Sequence, residues 1–181
     1  MPPESVTEAT VILREFDGRD AGRLLEAFRD PEYARWGHGP ATEDDVIAWM
    51  RERNDWSVGD RRSWAVSDPA DDLLGSVSLR HIDTDQGDAE AGYWVAPWAR
   101  RRGIATAALR AAVGHAFDDL GLRRVYLYHA VDNPASCGVA RAAGFRLEGT
   151  LLQSHRYGDG AFHDEHLHAV LAGEWRRTGI A

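Results

Sequence analysis

Three consecutive arginines and a glycine, at residues 100–103, form the part of the sequence whose spacing points most directly to chemistry. They follow a strand-like run at residues 92–95 and lead into a long helical pattern that begins at Ile104. The first turn of a helix leaves backbone N–H groups unpaired and carries partial positive charge, so it attracts phosphate groups. Gly103 lets a ligand come close to the backbone. The stretch therefore predicts a binding site for an anion.

Two common phosphate-binding motifs do not occur in the sequence. There is no Gly-x-x-x-x-Gly-Lys-Ser/Thr, which argues against a P-loop nucleotidase, and no Gly-x-Gly-x-x-Gly, which argues against a Rossmann dinucleotide site. The pattern that is present is Arg-x-x-Gly-x-Ala at residues 100–105. It is followed downstream by Asn-x-x-Ser at residues 133–136 and by Gly-Phe at residues 144–145.

This combination resembles the GCN5-related N-acetyltransferase (GNAT) superfamily, and in particular its ribosomal-protein, or Rim-type, branch. Motif A of that family, Gln/Arg-x-x-Gly-x-Gly/Ala, matches residues 100–105, and the preceding Gly-Tyr-Trp-Val and the terminal Glu174-Trp175 are also similar. The resemblance implies an α/β GNAT fold, with a mixed, mostly antiparallel central sheet that is splayed at the CoA site and flanked by helices. It also implies an enzyme that transfers an acetyl group directly from acetyl-CoA to a primary amine.

The resemblance assigns several residues to the cofactor. In the family, backbone N–H groups of motif A hold the CoA pyrophosphate. The positions in this sequence that match them, after the opening Arg100, are Arg101, Arg102, Gly103, Ile104, Ala105 and Thr106. Val95 (or Trp94) and residues 128–130 would offer backbone hydrogen bonds to the pantetheine arm, and Asn133 would bind the same arm.

Acetyl transfer to an amine requires a base, because free amines have pKa values of about 8 to 10 and are protonated at neutral pH. The resemblance implies Glu90 as that base, and His81 is an alternative. A backbone N–H at a strand bulge near Val95 would polarise the thioester carbonyl. Because residues 133–145 contain no tyrosine, Ser136 is expected to protonate the departing CoA sulfur, as the serine of the Rim-type branch does.

Structural interpretations of the same residues stay open. Strands often carry exposed acids, and Asn133 and Ser136 would also suit the start of a helix. Cys137 is expected to be a small buried residue without an activating partner. A non-catalytic acyl-CoA-sensing or protein-interaction module is the alternative function, since it needs residues 100–106 but neither of the catalytic candidates.

Three histidines at residues 163–168 raise the question of a metal site. The run is not His-Glu-x-x-His, and on a strand only His166 and His168 share a face. We therefore expect no bound metal, and a metal-dependent hydrolase is the less favoured alternative.

The acceptor is an amine whose identity the sequence does not specify. A protein N-terminus, a small polyamine and an amine-bearing antibiotic all fit. Trp36 and Trp56 lie where the family builds its acceptor pocket, so either could wall it. The resemblance places Asp164 near the acceptor and puts His168 where the family has an aromatic residue.

The elements that must position these residues follow from hydrophobic periodicity. Strand patterns lie at residues 10–16, 63–66, 74–79, 89–95, 125–130, from 145 onward and at 166–172; helical patterns lie at 20–28, 42–55, 104–120 and 133–144. Residues 30–40, rich in glycine and proline, are predicted to form a loop. The order of elements favours an α/β protein with a mixed sheet.

Composition limits the partners. With 181 residues and 44% apolar content, we expect one domain covering residues 1–181. The single cysteine excludes an internal disulfide, which fits a reducing compartment. The sequence has no secretory signal pattern and no apolar run of about 18 residues. We therefore expect a cytoplasmic protein without a membrane partner. A net charge of −8 argues against general nucleic-acid binding. Relatives often dimerise, which leaves a homodimer open.

Overall fold

The computed structural model describes residues 10–175. The strands are β1 (Ile12–Arg14), β2 (Arg62–Ser67), β3 (Leu73–Asp83), β4 (Asp88–Val95), β5 (Arg124–Ala130), β6 (Arg146–Arg156) and β7 (Phe162–Leu171). The helices are α1 (Ala21–Phe28), α2 (Pro31–Trp36), α3 (Glu43–Asn54), α4 (Ile104–Asp118), α5 (Pro134–Ala142) and α6 (Ala172–Trp175), with short 3-10 helices at Gly18–Asp20 and Pro97–Ala99. Residues 1–9 and 176–181, which the one-domain prediction includes, lie outside the described residues.

The seven strands form one sheet in the order β1-β2-β3-β4-β5-β7-β6. All neighbouring strands are antiparallel except β4 and β5, which run parallel. Their pairing is confined to residues Asp88–Glu90 on β4 and Arg124–Tyr126 on β5, and beyond it the two strands diverge. The predicted fold class, a mixed and mostly antiparallel sheet that splays open, is confirmed.

Two apolar cores pack against β4, one on each face of the strand. On one face the α4 residues Leu109 and Val113 pack with Ala89 and Ala91 of β4. The other face supports a second core built from α1 and α3, against which Trp94 packs. Because side chains alternate along a strand, β4 presents a different set of residues to each core.

One predicted loop contains a helix. Residues 30–40 were expected to be irregular, but α2 forms within them because the Asp30 carboxylate accepts a hydrogen bond from the Tyr33 N–H and Pro31 occupies the first turn. The strands β3 and β7 are also longer than predicted. No helix in residues 10–175 is both long enough and apolar enough to cross a membrane.

Candidate functional site

A cleft of about 1120 Å³ lies where β4 and β5 diverge. One end is lined by the start of α4, by the first turn of α5 and by the separated halves of the two strands. The other end opens on the opposite face of the sheet, against α2, α3 and the β6–β7 region. A long ligand can therefore pass through the sheet from one face to the other.

The start of α4 leaves its first N–H groups open to a ligand. Gly103 precedes the helix with a φ of 76°, a left-handed conformation that favours glycine. Among the described residues no side chain caps this turn, whereas α2, α3 and α5 are capped by Asp30, Thr42 and Asn133. A ligand with anionic oxygens can supply the missing acceptors.

The three arginines before this helix differ in their surroundings. The Arg100 guanidinium contacts the Asp30 carboxylate and lies 2.9 Å from Glu32, so its charge is paired with carboxylates beside α2 rather than left for a ligand. Burial opposes ionisation of Asp30, but hydrogen bonds from Arg100 and the Tyr33 N–H hold its pKa below the ordinary value. Arg101 is exposed and lines the cleft; Arg102 is exposed and lies outside its lining.

Val95 directs a backbone donor into the cleft. The next residue, Ala96, donates its N–H to the Leu74 carbonyl on β3 at 2.8 Å. Since successive N–H groups of a strand point to opposite sides, the Val95 N–H points away from β3 and toward the gap beside β5. The geometry therefore agrees with a backbone N–H donor at Val95. The β3–β4 pairing is regular at this residue, so no bulge is needed to expose the donor.

The bulge predicted near Val95 lies instead at the far end of the β3–β4 pairing, between Arg80 and Asp83. His81, within it, has a φ of 51°. Its Nε2 lies 3.7 Å from one oxygen of Glu90, while Arg80 donates to the other oxygen at 2.5 Å. The structure thus brings together the two residues considered as the base, both in the lining of the cleft.

Ser136 and Asn133 also line the cleft, in the first turn of α5. The Asn133 side chain accepts a hydrogen bond from the Ser136 N–H at 3.1 Å, so its capping role is present. The hydroxyl of Tyr93 donates to the Ser136 carbonyl at 3.4 Å. Burial raises the pKa of Tyr93 to about 12, which keeps the phenol protonated.

Tyr93 was not predicted from the sequence, because the resemblance places the proton-donating residue in the segment around α5 rather than on β4. Strand alternation could have predicted it, because Tyr93 lies on the same face of β4 as Val95, the residue expected to contact the cofactor. Glu90 lies on the other face. The cleft therefore has hydroxyl groups on one face of the sheet and a carboxylate on the opposite face.

Aromatic side chains form much of the second end of the cleft. Tyr33, Trp36, Trp49 and Tyr157 line it, and the rings of Trp36 and Tyr157 meet edge to face at 5.6 Å. The prediction for Trp36 agrees with this position. The prediction for Trp56 is wrong, because that ring packs against Trp64 at 5.6 Å, away from the cleft lining.

Glu165 supplies a buried carboxylate to the same end of the cleft. Its two oxygens accept hydrogen bonds from Ser154 Oγ and the Tyr157 hydroxyl, each at 2.8 Å. Sequence reasoning expected Asp164 here, but strand alternation turns Asp164 and His168 to the opposite face of β7. The Asp164 carboxylate accepts the Gln153 N–H at 2.8 Å, and His168 is wholly buried.

Comparison with known proteins places the chain in a family. The sequence profile of the acetyltransferase (GNAT) domain matches residues 10–146. The chain belongs to the GNAT acetyltransferase family. This GNAT protein is 38% identical over 175 residues to YdaF of Bacillus subtilis, which carries a provisional name as a ribosomal N-acetyltransferase; the match covers 91% of this chain and 93% of the relative.

Other relatives agree on the chemistry. The ribosomal-protein-serine acetyltransferase of Escherichia coli is 38% identical over 101 residues, 56% of each chain. The fold is shared with the spermidine N-acetyltransferase of Vibrio cholerae, solved in complex with CoA and spermine, at a TM-score of 0.80 and 21% identity over 92% of this chain and 98% of that one. The family match and the two named relatives confirm the resemblance to the Rim-type branch, and the protein is an acetyl-CoA-dependent N-acetyltransferase.

Proposed function

We propose that this GNAT enzyme transfers the acetyl group directly from acetyl-CoA to a cationic primary amine that enters the cleft from the face of α2, α3 and β7. The continuity of the cleft carries the proposal, because it joins the uncapped start of α4 to Glu90 and Glu165 on the other face of the sheet. No covalent acyl-enzyme is needed when the cofactor and the amine approach each other from opposite faces.

The cofactor contacts follow from the lining of the cleft. The pyrophosphate is proposed to accept hydrogen bonds from the backbone N–H groups at the start of α4, since a diphosphate needs several convergent donors. These donors are Arg101, Arg102, Gly103, Ile104, Ala105 and Thr106. Arg100 orients the loop through its ion pairs, and Val95 and Asn133 face the pantetheine arm.

The reaction is a substitution at the thioester carbonyl. Glu90, with His81 at its second oxygen, takes a proton from the ammonium, and the free amine attacks the carbonyl carbon. The Val95 N–H stabilises the oxygen as it becomes negative. The C–S bond then breaks, and the sulfur takes a proton from a hydroxyl group, Ser136 or Tyr93. The nitrogen releases its extra proton as the amide forms, and through water this proton restores the hydroxyl group. Acetyl transfer in this form requires no metal.

Replacing the hydroxyl donors separates their roles. Ser136→Ala is expected to lower kcat by about 10-fold and Tyr93→Phe by a similar factor, because each can partly replace the other as proton donor. The double variant should lose about 100-fold or more, the usual contribution of a general acid. Steady-state kinetics at saturating acetyl-CoA measures this. Unchanged kcat in the double variant would exclude both residues.

Glu165 is proposed to bind the acceptor ammonium group, because its carboxylate is buried and held only by neutral hydroxyl donors. Glu165→Gln keeps the shape but removes the charge, and a charge-assisted hydrogen bond is worth about 1.5–3 kcal/mol. We expect KM for the amine to rise about 10-fold or more, with little change in KM for acetyl-CoA. Glu174→Gln, which changes a carboxylate outside the cleft lining, is the control; an equal effect in both variants would refute the assignment.

Turnover over a panel of amines tests the proposed function. Peptide N-termini, polyamines and aminoglycosides represent the three acceptor classes, and CoA release is measured with and without each amine. The sequence contains no lysine, so side chains of the enzyme cannot serve as competing amine acceptors. Tight acetyl-CoA binding in calorimetry without amine-dependent turnover would favour the non-catalytic acyl-CoA-sensing alternative.

The remaining assignments are also proposals. We propose that the chain acts as one domain over residues 1–181 and works in the cytoplasm, where its single cysteine stays reduced and acetyl-CoA is present. The acidic composition suits a cationic acceptor better than a nucleic acid. A homodimer is compatible with the proposed reaction, which needs residues of only one chain.

A further inference from the structure

Four side chains of types that can bind a metal meet beside the cleft, on the face of the sheet that α5 covers, and one of them, His129, also lines the cleft. They are His129 on β5, His166 and His168 on β7, and Cys137 in the first turns of α5. One potential ligand atom from each lies within 4.8 Å of every other. The sequence run at residues 163–168 contributes only two of these groups; the others come from distant segments.

Strand register explains the meeting of the three imidazoles. His129 pairs directly with His166 across β5 and β7, and His168 lies two residues further along the same face of β7. The ring of His129 stacks on that of His168 at 5.1 Å and meets that of His166 edge-on at 5.3 Å. The Cys137 Sγ approaches His168 Nε2 at 3.9 Å from the helix above.

His163, the remaining histidine of the run, belongs to a different environment. Its two ring nitrogens lie 2.9 Å from Asp159 and 3.4 Å from Asp132. Alternation along β7 turns it to the face opposite His166 and His168. It is therefore a natural internal control for the cluster.

The protonation of His129 suits a ligand. Its Nδ1 lies 2.8 Å from the Ala130 carbonyl oxygen, which can only accept, so Nδ1 carries the proton and Nε2 offers a lone pair. A backbone carbonyl that orients the second ring nitrogen in this way is the usual support of a metal-bound histidine.

The buried ring nitrogens of this cluster destabilise the folded protein if nothing binds to them. Within residues 10–175, His129 Nε2 and His166 Nδ1 are buried nitrogens without a hydrogen-bond partner, and Cys137 Sγ approaches the Nε2 of His168 beside them. Both of these nitrogen atoms are buried, so water cannot readily satisfy them. An unsatisfied buried polar atom costs about 1–3 kcal/mol. Two such atoms beside the Cys137–His168 pair indicate that a further group belongs among them.

We propose that His129, Cys137, His166 and His168 form a structural zinc site with one thiolate and three imidazole ligands. Zinc prefers four nitrogen and sulfur ligands in a tetrahedron, with bonds of about 2.0–2.3 Å that set ligand atoms about 3.3–3.8 Å apart. The Cys137–His168 distance already approaches that value, and the widest pair must close by about 1 Å. The Cys137 thiol gives up its proton to solvent when it coordinates.

Four protein ligands leave no open position, so the ion is structural rather than catalytic. It would fix the start of α5 to β5 and β7, next to Ser136 and Asn133. The run at residues 163–168 predicted no metal because two of the four ligands, His129 and Cys137, lie elsewhere in the chain and only the fold brings them to His166 and His168.

Cobalt provides a spectroscopic test, because tetrahedral Co²⁺ with a thiolate ligand shows strong visible bands and a thiolate-to-metal charge-transfer band in the near ultraviolet. Metal-stripped full-length protein is titrated with Co²⁺ and then with Zn²⁺. We expect both bands at one Co²⁺ per chain, displacement by one equivalent of Zn²⁺, and a zinc-dependent rise in Tm. Absence of tetrahedral bands, or no rise in Tm, overturns the proposal.

Three variants make the test specific. Cys137→Ser should abolish the charge-transfer band, and His168→Phe, which keeps a ring of similar size in the core, should weaken zinc binding more than about 100-fold, beyond the usual effect of losing a supporting residue. His163→Ala should bind zinc like the natural protein. Circular dichroism establishes that each variant is folded, and a folded His168→Phe that binds zinc with unchanged affinity would also refute the site.

Discussion

Gly103→Glu is expected to abolish acetyl-CoA binding, with a loss in affinity of more than about 100-fold, or about 2.8 kcal/mol. The introduced carboxylate would lie at the uncapped first turn of α4 and accept the N–H groups proposed for the pyrophosphate. It would also repel the diphosphate directly. Calorimetry with CoA and acetyl-CoA measures the effect, and retained affinity would remove this helix start from the cofactor site.

The opposite end of α4 offers a matched control. Gly121 is exposed, has a φ of 67° and would meet no atom within 4 Å of an added Cβ. Gly121→Glu therefore introduces the same charge and a similar backbone strain of about 1–3 kcal/mol, but far from the proposed pyrophosphate site. We expect it to lower Tm about as much as Gly103→Glu does while leaving CoA affinity within about twofold.

Glu90→Gln is expected to lower kcat by about 100-fold or more at neutral pH, the contribution typical of a general base. The deficit should shrink as the pH approaches the pKa of the acceptor, about 10 for an alkylamine, because more of the amine is then already unprotonated. The pH dependence of kcat and kcat/KM is the measurement. A variant whose rate falls by the same factor at every pH would show that Glu90 is not the base.

Glu148→Gln controls for the loss of an ion pair. Glu148 lies on β6 and pairs with Arg124 at 2.5 Å, much as Glu90 pairs with Arg80, and this contact holds the pKa of Glu148 below its ordinary value. It is absent from the cleft lining. Its amide variant should retain kcat within about twofold, and a loss comparable to that of Glu90→Gln would indicate a general effect of charge removal.

Local signals predicted much of the framework. The apolar stripe after Ile104 predicted a long helix that ends near Gly121, and α4 ends at Asp118 with Gly121 in a left-handed conformation just beyond. Alternation around Glu90 predicted β4, and the asparagine and proline at residues 133–134 predicted the start of α5. Each of these features depends on residues within a few positions of one another, so one sequence suffices to read it.

Features that depend on distant contacts could not be read in this way. The pairing of Arg100 with Asp30 joins segments far apart in the chain, and the position of Trp56 depends on packing against Trp64. The choice between Asp164 and Glu165 depends on which face of β7 meets the cleft. Residue types alone do not specify that face, because both sides of this strand carry polar side chains.

The short pairing between β4 and β5 has a consequence for how the molecule opens. Only three residue pairs join the four-stranded half of the sheet to the three-stranded half. A pantetheine arm in the gap would offer amide groups to the edges of both halves and act as a substitute strand. Bound cofactor should therefore slow amide hydrogen exchange in β4 and β5 together. The two halves of the sheet would then open as one cooperative unit rather than independently.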